Sequence, residues 1–272
     1  MKIAVVAPSC SLHPEAAEAV RAIIASRGDA EIMFHEQCFA SAGHFAGPDI
    51  QRLAALREVL ADPSVDALWL ARGGYGSNRI AEAAAHALPA VARAKTIMGY
   101  SDGGFLLAAF DKAGLPVAHG PMVQDILREG GAAAIARALD WLVRRDPAAL
   151  EPGLVPGKRA MAFNLTVLSN LLGTAIEPDF TGANLIIEDI AEHEYRIDRM
   201  MFHVTGNANV RRCASLRMGR MSEIPENDPV FDGDAESIVR DWCKRSGIAF
   251  GGHADVGHDA ANRVVPFNID ED

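Results

Sequence analysis

Short, wholly apolar runs alternate along this chain with longer segments in which apolar residues return every three or four positions. Lys2 to Ala7 is the first run, and its unbroken β-leaning character is that of a parallel strand buried on both faces. Pro14 to Ala25 carries Ala16, Val20, Ile23 and Ile24 at helical spacing and closes at Gly28. Ala30 to Phe34 predicts a second strand. After a loop over 44–48, Asp49 starts a helix bearing Leu53, Leu56, Val59 and Leu60, which Asp62-Pro63 ends. Val65 to Leu70 reads as a third buried strand, Ile80 to Ala87 as a helix and Ala94 to Met98 as a strand. Phe105 to Phe110 then reads as an apolar helix stopping near Gly114, before a last short strand at Pro116-Val117-Ala118. Such alternation predicts a doubly wound parallel sheet with its site at the carboxyl ends of the strands.

The grammar changes past residue 146. Ala132 to Leu142 is an Ala-rich helix, and Pro147, Pro152, Gly153, Pro156 and Gly157 then mark the best linker in the chain. Beyond it, Leu165 to Leu172 looks helical, Asn184 to Ile187 and Ser215 to Met218 look like strands, and Tyr195 to Val204 and Ile238 to Arg245 look helical. The expected division is an N-terminal domain over 1–146, a linker over 147–163 and a smaller mixed domain over 164–272. No internal repeat appears, and the Asp270-Glu271-Asp272 tail reads as a solvated end.

Composition narrows the partners. A length of 272 residues is comfortable for two domains, and 49% apolar with 23% charged content supplies material for a real core. A net charge of −10 argues against nucleic acid or an anionic membrane as the main partner. Cys10, Cys38, Cys213 and Cys243 are far apart and form no Cys-x-x-Cys pair, which suits a reducing compartment better than a disulfide framework or a zinc site. The first apolar run is too short for a signal peptide, and no stretch reaches membrane-spanning length. The expectation is a cytoplasmic protein without metal or cofactor.

The chemistry centres on Gly99-Tyr100-Ser101-Asp102-Gly103. A serine between strand and helix, with glycine two positions to each side, has the spacing of a nucleophile elbow. The sharp turn exposes the hydroxyl, and a helix start offers free N–H groups to an oxyanion. The serine needs a base, and the base an orienting acid. Glu188-Asp189 ends an apolar run, and Gly257-His258-Asp259 lies in a late loop, so Ser101, Glu188 and His258 supply the three roles in order. Each has a plainer reading as a turn serine, a capping or surface carboxylate and a turn histidine. His253-Ala254-Asp255-Val256-Gly257-His258 also has the look of a metal-ligand cluster, and Cys10 is a rival nucleophile.

Several motifs together resemble the L,D-carboxypeptidase family of serine peptidases, which also contains the microcin C resistance peptidases. They are Ala7-Pro8-Ser9, Arg72-Gly73-Gly74-Tyr75-Gly76, Gly99-Tyr100-Ser101-Asp102, His119-Gly120-Pro121-Met122 and Asn164-Leu165. Glu188-Asp189, Tyr195-Arg196-Ile197-Asp198-Arg199 and Gly257-His258 continue the series in family order. The resemblance implies a flavodoxin-like N-terminal domain joined to a swivelling-type β/α C-terminal domain, with a Ser101–Glu188–His258 triad assembled between them. It further implies an oxyanion hole from the N–H groups of Gly74 and Asp102, no metal, and a homodimer. The implied substrate is a murein tetrapeptide that loses its terminal D-alanine. A carboxypeptidase must also hold a free carboxylate, for which Arg72 is the nearest cation by motif, with Tyr75 beside it and Arg196 and Arg199 more remote. Ala162-Phe163 stand where the family usually has Gly-Gly, and Glu192-His193-Glu194 separate the acid from Tyr195. Three other readings share the residues: a microcin-resistance-type peptidase, an ordinary α/β-hydrolase, and a non-enzymatic two-lobed binder.

Overall fold

The computed structural model describes residues 1–269; the acidic tail over 270–272 lies outside them. Among the described residues, ten strands and eight α-helices form two sheets with their covering helices. The first domain runs β1 (Lys2–Val6), α1 (Pro14–Arg27), β2 (Glu31–Phe34), α2 (Asp49–Ala61), β3 (Ala67–Leu70) and α3 (Ala81–Ala85). It continues through β4 (Thr96–Gly99), α4 (Gly104–Lys112), β5 (Val117–His119) and α5 (Gly131–Arg144). The second runs β6 (Ala160–Asn164), α6 (Leu165–Leu171), β7 (Asn184–Ile190), α7 (Glu194–Gly206), β8 (Ser215–Ser222), α8 (Ala235–Ser246) and β9 (Phe250–His253). The last strand, β10 (Val265–Pro266), returns to the first sheet.

The first sheet has the order β10-β5-β4-β3-β1-β2, parallel except for β10, which pairs antiparallel with β5. Its five parallel strands have the flavodoxin-like 2-1-3-4-5 arrangement, which places a site at the carboxyl ends near the switch between β1 and β3. Strands β3 and β4 are buried throughout, which explains why their sequences are continuous apolar runs rather than alternating ones. The second sheet, β6-β7-β8-β9, is wholly parallel.

Two features differ from the sequence expectation. Of the stretch 147–163 expected as linker, residues 160–163 belong to β6 and lie buried against β7. The helix expected to reach Ala87 stops at Ala85, with Ala87 turned to a φ of +55°. One apolar cluster joins the domains: Leu70, Ile97 and Leu107 of the first share it with Phe163, Leu168 and Leu185 of the second. Phe267, just past β10, is fully buried in that seam, its ring 5.4 Å from that of Phe163.

Candidate active site

Ser101 sits on a short 3-10 turn between β4 and α4 with a φ of +56°, a conformation that residues with side chains adopt only under constraint. The flanking glycines are there for packing. Leu70, at the end of β3, presses beneath the elbow, and a Cβ at Gly99 or Gly103 would lie 2.7 or 2.8 Å from its Cδ1. Asp102 locks the turn from behind. Its buried Oδ2 accepts from the Ser9 hydroxyl at 2.5 Å and the Ser77 N–H at 2.9 Å, and its carbonyl accepts from the Ser77 hydroxyl. The loops after β1, β3 and β4 are thus tied into one piece. Neither Ser77 nor Ser9 carries a sequence signal for this role beyond the Ala7-Pro8-Ser9 motif.

Glu188 was expected at a strand end, but β7 continues to Ile190, so this carboxylate projects from the interior of a strand with none of its surface exposed. Space for it comes from β8. A Cβ at Gly219 would lie 3.0 Å from Glu188 Cβ, and the β7–β8 register slips between Ile187 and Asp189 at this point. His258 lies on the segment that leaves β9 and re-enters the first sheet as β10, which carries it over the end of β4.

The three groups form a line. His258 Nε2 is 2.9 Å from Ser101 Oγ, and His258 Nδ1 is 2.5 Å from Glu188 Oε2. An ionised carboxylate can only accept, so Nδ1 carries the proton and the Nε2 lone pair faces the serine hydroxyl. Glu188 Oε1 is buried without a partner, so the acid's hydrogen bonding is spent on the imidazole. Burial depresses the His258 pKa, but the charge and hydrogen bond of Glu188, with Asp189 behind it, outweigh that and raise it. The arrangement can take a proton from a hydroxyl and hold the resulting imidazolium.

A cavity of about 670 Å³ opens in front of the serine. Gly74, Tyr75, Ser101 and Asp102 line it from the first domain and Asn164 from the second, with His258 between. Residues 3–120 match the family model of the LD-carboxypeptidase N-terminal domain, and residues 159–270 that of the LD-carboxypeptidase C-terminal domain. The chain belongs to the LD-carboxypeptidase family. The murein tetrapeptide carboxypeptidase of Pseudomonas aeruginosa is 25% identical to it, over 98% of this chain and 91% of that one. The muramoyltetrapeptide carboxypeptidase structure from Oxalobacter formigenes superposes with a TM-score of 0.82 at 24% identity, covering 98% of this chain and 93% of that one. A microcin self immunity protein gives 0.79 at 16% identity, covering 98% and 91%. Both structural likenesses speak to the fold alone.

In this member of the family, not every expected residue reaches the cavity. Arg72 does not: the chain turns at the end of β3 so that its guanidinium meets the Ser11 carbonyl and His13 Nε2, each at 3.2 Å, away from the lining. No described lining residue is Lys or Arg, whereas Glu82, Asp189 and Glu192 are present. Arg196 stands next to the wall, its guanidinium 2.6 Å from Glu192. Tyr75 lines the cavity and is half-exposed. Cys10 sits behind Gly74, with its sulfur 3.4 Å from His44 Nε2. His253 points out to Glu236 at 3.4 Å, and among the described residues no three His, Cys, Asp or Glu side chains gather as a metal site.

Proposed function

We propose that this chain is a serine carboxypeptidase that releases the terminal D-alanine of murein tetrapeptides by hydrolysing the L,D-amide bond. The observation that carries this reading is the unbroken line from Glu188 through His258 to Ser101, with contacts of 2.5 and 2.9 Å. Ser101 is the nucleophile, His258 the base and Glu188 the acid that fixes the tautomer and stabilises imidazolium. His258 takes the hydroxyl proton as Ser101 Oγ bonds to the amide carbon, and the N–H groups of Gly74 and Asp102 receive the negative oxygen. Collapse of the tetrahedral species expels D-alanine, whose amine takes the proton from His258, and water then repeats the attack on the acyl-serine.

The murein substrate is supported by the family and by the Pseudomonas aeruginosa relative's name. The cavity volume also suits a short peptide. Tyr75 borders the peptide, and Arg196, paired with the lining residue Glu192, is the cation beside the wall that the terminal carboxylate would have to draw away from that pair, since Arg72 is engaged with Ser11 and His13. The same reading takes the protein to be a cytoplasmic homodimer.

The test is Ser101→Ala, with the fold checked by circular dichroism. D-alanine release from tetrapeptide should vanish, and a serine-directed phosphonate should label the wild-type chain but not the variant. Hydrolysis that survives the substitution overturns the nucleophile. Cleavage of an aminoacyl-sulfamoyl nucleotide in place of the tetrapeptide would make this a microcin-resistance-type peptidase. Neither hydrolysis nor labelling would leave a binding protein.

A further inference from the structure

His258 is the one member of the line carried on a segment without regular structure, residues 254–264 between β9 and β10. Loops open more readily than strands, yet a general base has to stay within hydrogen-bond reach of its proton. Arginines hold this segment from both domains. Arg220 on β8 grips the Asp255 and Asp259 carboxylates, and Arg137 on α5 donates to the carbonyls of Ala260 and Asn262 at 2.9 and 2.8 Å. The third is Arg128, between β5 and α5, whose Nη1 donates to the backbone carbonyl of His258 itself.

Arg128 belongs to a closed circuit. Its Nε donates to Asp125 Oδ1 at 2.9 Å, the same oxygen accepts the Tyr100 hydroxyl at 2.9 Å, and Asp125 Oδ2 accepts the Met122 N–H at 2.8 Å. Tyr100 is the neighbour of Ser101 in the chain, and its ring centroid lies 4.9 Å from that of His258. The serine's own neighbour is therefore linked through Asp125 and Arg128 to the backbone of the histidine, and directly to its ring. We propose that Arg128 is a positioning residue for His258, fixing the distance between imidazole and Ser101 through Asp125 and Tyr100. The inference rests on the triad proposed above and adds the device that holds it together.

A structural ion pair is the plainer account, but Arg128 is over a third exposed, and a partly solvated pair with Asp125 contributes little to stability by itself. What distinguishes Arg128 is the carbonyl its other arm meets. Charge points the same way. The groups facing His258 are Glu188 and Asp189 from β7, His119 from β5, Tyr100 and Arg128; of these the guanidinium opposes protonation of the imidazole. Its removal lets the His258 pKa climb further.

The experiment compares Arg128→Gln and Arg128→Lys with the wild-type chain. The Gln variant should lose about 100-fold in kcat, the scale of a misplacement near 1 Å, with KM little changed. Phosphonate labelling of Ser101 should slow in parallel, and the acid limb of kcat/KM should move to higher pH. The Lys variant, keeping the charge on a single donor nitrogen, should recover part of kcat, and it carries the test alone if the Gln variant does not fold. Wild-type kcat and labelling rate in Arg128→Gln overturn the proposal. So does a kcat loss matched by a lowered Tm with the acid limb unmoved, which is the mark of a structural ion pair. An active Ser101→Ala would instead sink the triad reading, so the two failures are told apart.

Discussion

Glu188→Gln tests the site most sharply, because it changes charge and donor pattern with almost no change of shape. Glu188 is completely buried, its Oε2 is 2.5 Å from His258 Nδ1 and its Oε1 has no other partner. An amide there can donate as well as accept. If its N–H₂ turns to Nδ1, the ring proton moves to Nε2 and points at Ser101, which then faces a donor where it needs a base. A wrong tautomer of this kind costs on the order of 10⁴ in kcat, or about 5.4 kcal/mol of barrier. KM should change little, since the carboxylate does not line the cavity.

The same substitution has a signature in pH. Glu188 is the main reason the His258 pKa is raised despite burial, so in the variant burial acts with little opposition and residual activity should persist to lower pH. The stability difference has the opposite dependence. A histidine whose folded pKa is raised gives stability in full below its unfolded value of 6.5, and loses it as pH rises through the folded value. Wild type should therefore exceed Glu188→Gln in Tm most in mild acid, with the gap narrowing in alkali. D-alanine release followed from pH 5 to 9, with melting curves at the same points, measures both. A variant that keeps more than about a tenth of wild-type kcat, or whose acid limb does not move, refutes Glu188 as the orienting acid.

Gly74→Ala should lower kcat about 100- to 1,000-fold, the cost of losing one oxyanion donor. The glycine has a φ of +109° and its Cβ would meet Cys10 Sγ at 2.4 Å, so the loop and its N–H must shift; wild-type turnover would remove Gly74 from the oxyanion hole. Arg72→Ala should leave KM for the tetrapeptide unchanged, because its guanidinium is engaged with Ser11 and His13; a KM rise of about tenfold, near 1.4 kcal/mol, would return it to substrate binding.

Legibility in the sequence followed how local the determining physics was. The β1, β3 and β4 runs and the helices between them could be read because a strand buried on both faces must be apolar throughout. The elbow could be read because Leu70 leaves no room for side chains at Gly99 and Gly103, and that demand is written as a spacing. Glu188 was expected at a strand end and stands inside β7 instead, since the gap that admits it is made by Gly219 on another strand. Arg72 misled for a similar reason: its motif fixes the loop, while the direction of its side chain is decided by Ser11 and His13. Asp125 and Arg128 gave no signal, being an ordinary charged pair three residues apart whose importance lies in Tyr100 and a carbonyl far along the chain. Strand β10 is two residues long and carries no pattern at all.

That unmarked strand nonetheless decides where His258 stands. Val265 pairs with His119, the Phe267 N–H donates to the Val117 carbonyl at 3.0 Å, and Phe267 fills the seam beside Phe163. The chain therefore makes its second domain and then returns to the first, and His258 sits on the returning segment, with Ser101 on the first domain and Glu188 on the second. The imidazole that reaches Ser101 stands on neither sheet but on the segment between β9 and β10. The hydroxyl acquires its acceptor only when the last strand docks, so the same apolar contact that closes the core also completes the proposed line from Ser101 through His258 to Glu188. Ser101, held at a positive φ, meets its imidazole partner on the segment that returns from the second domain, and the carboxylate behind that imidazole stands on the second domain, so the proposed line forms only when the whole chain is folded.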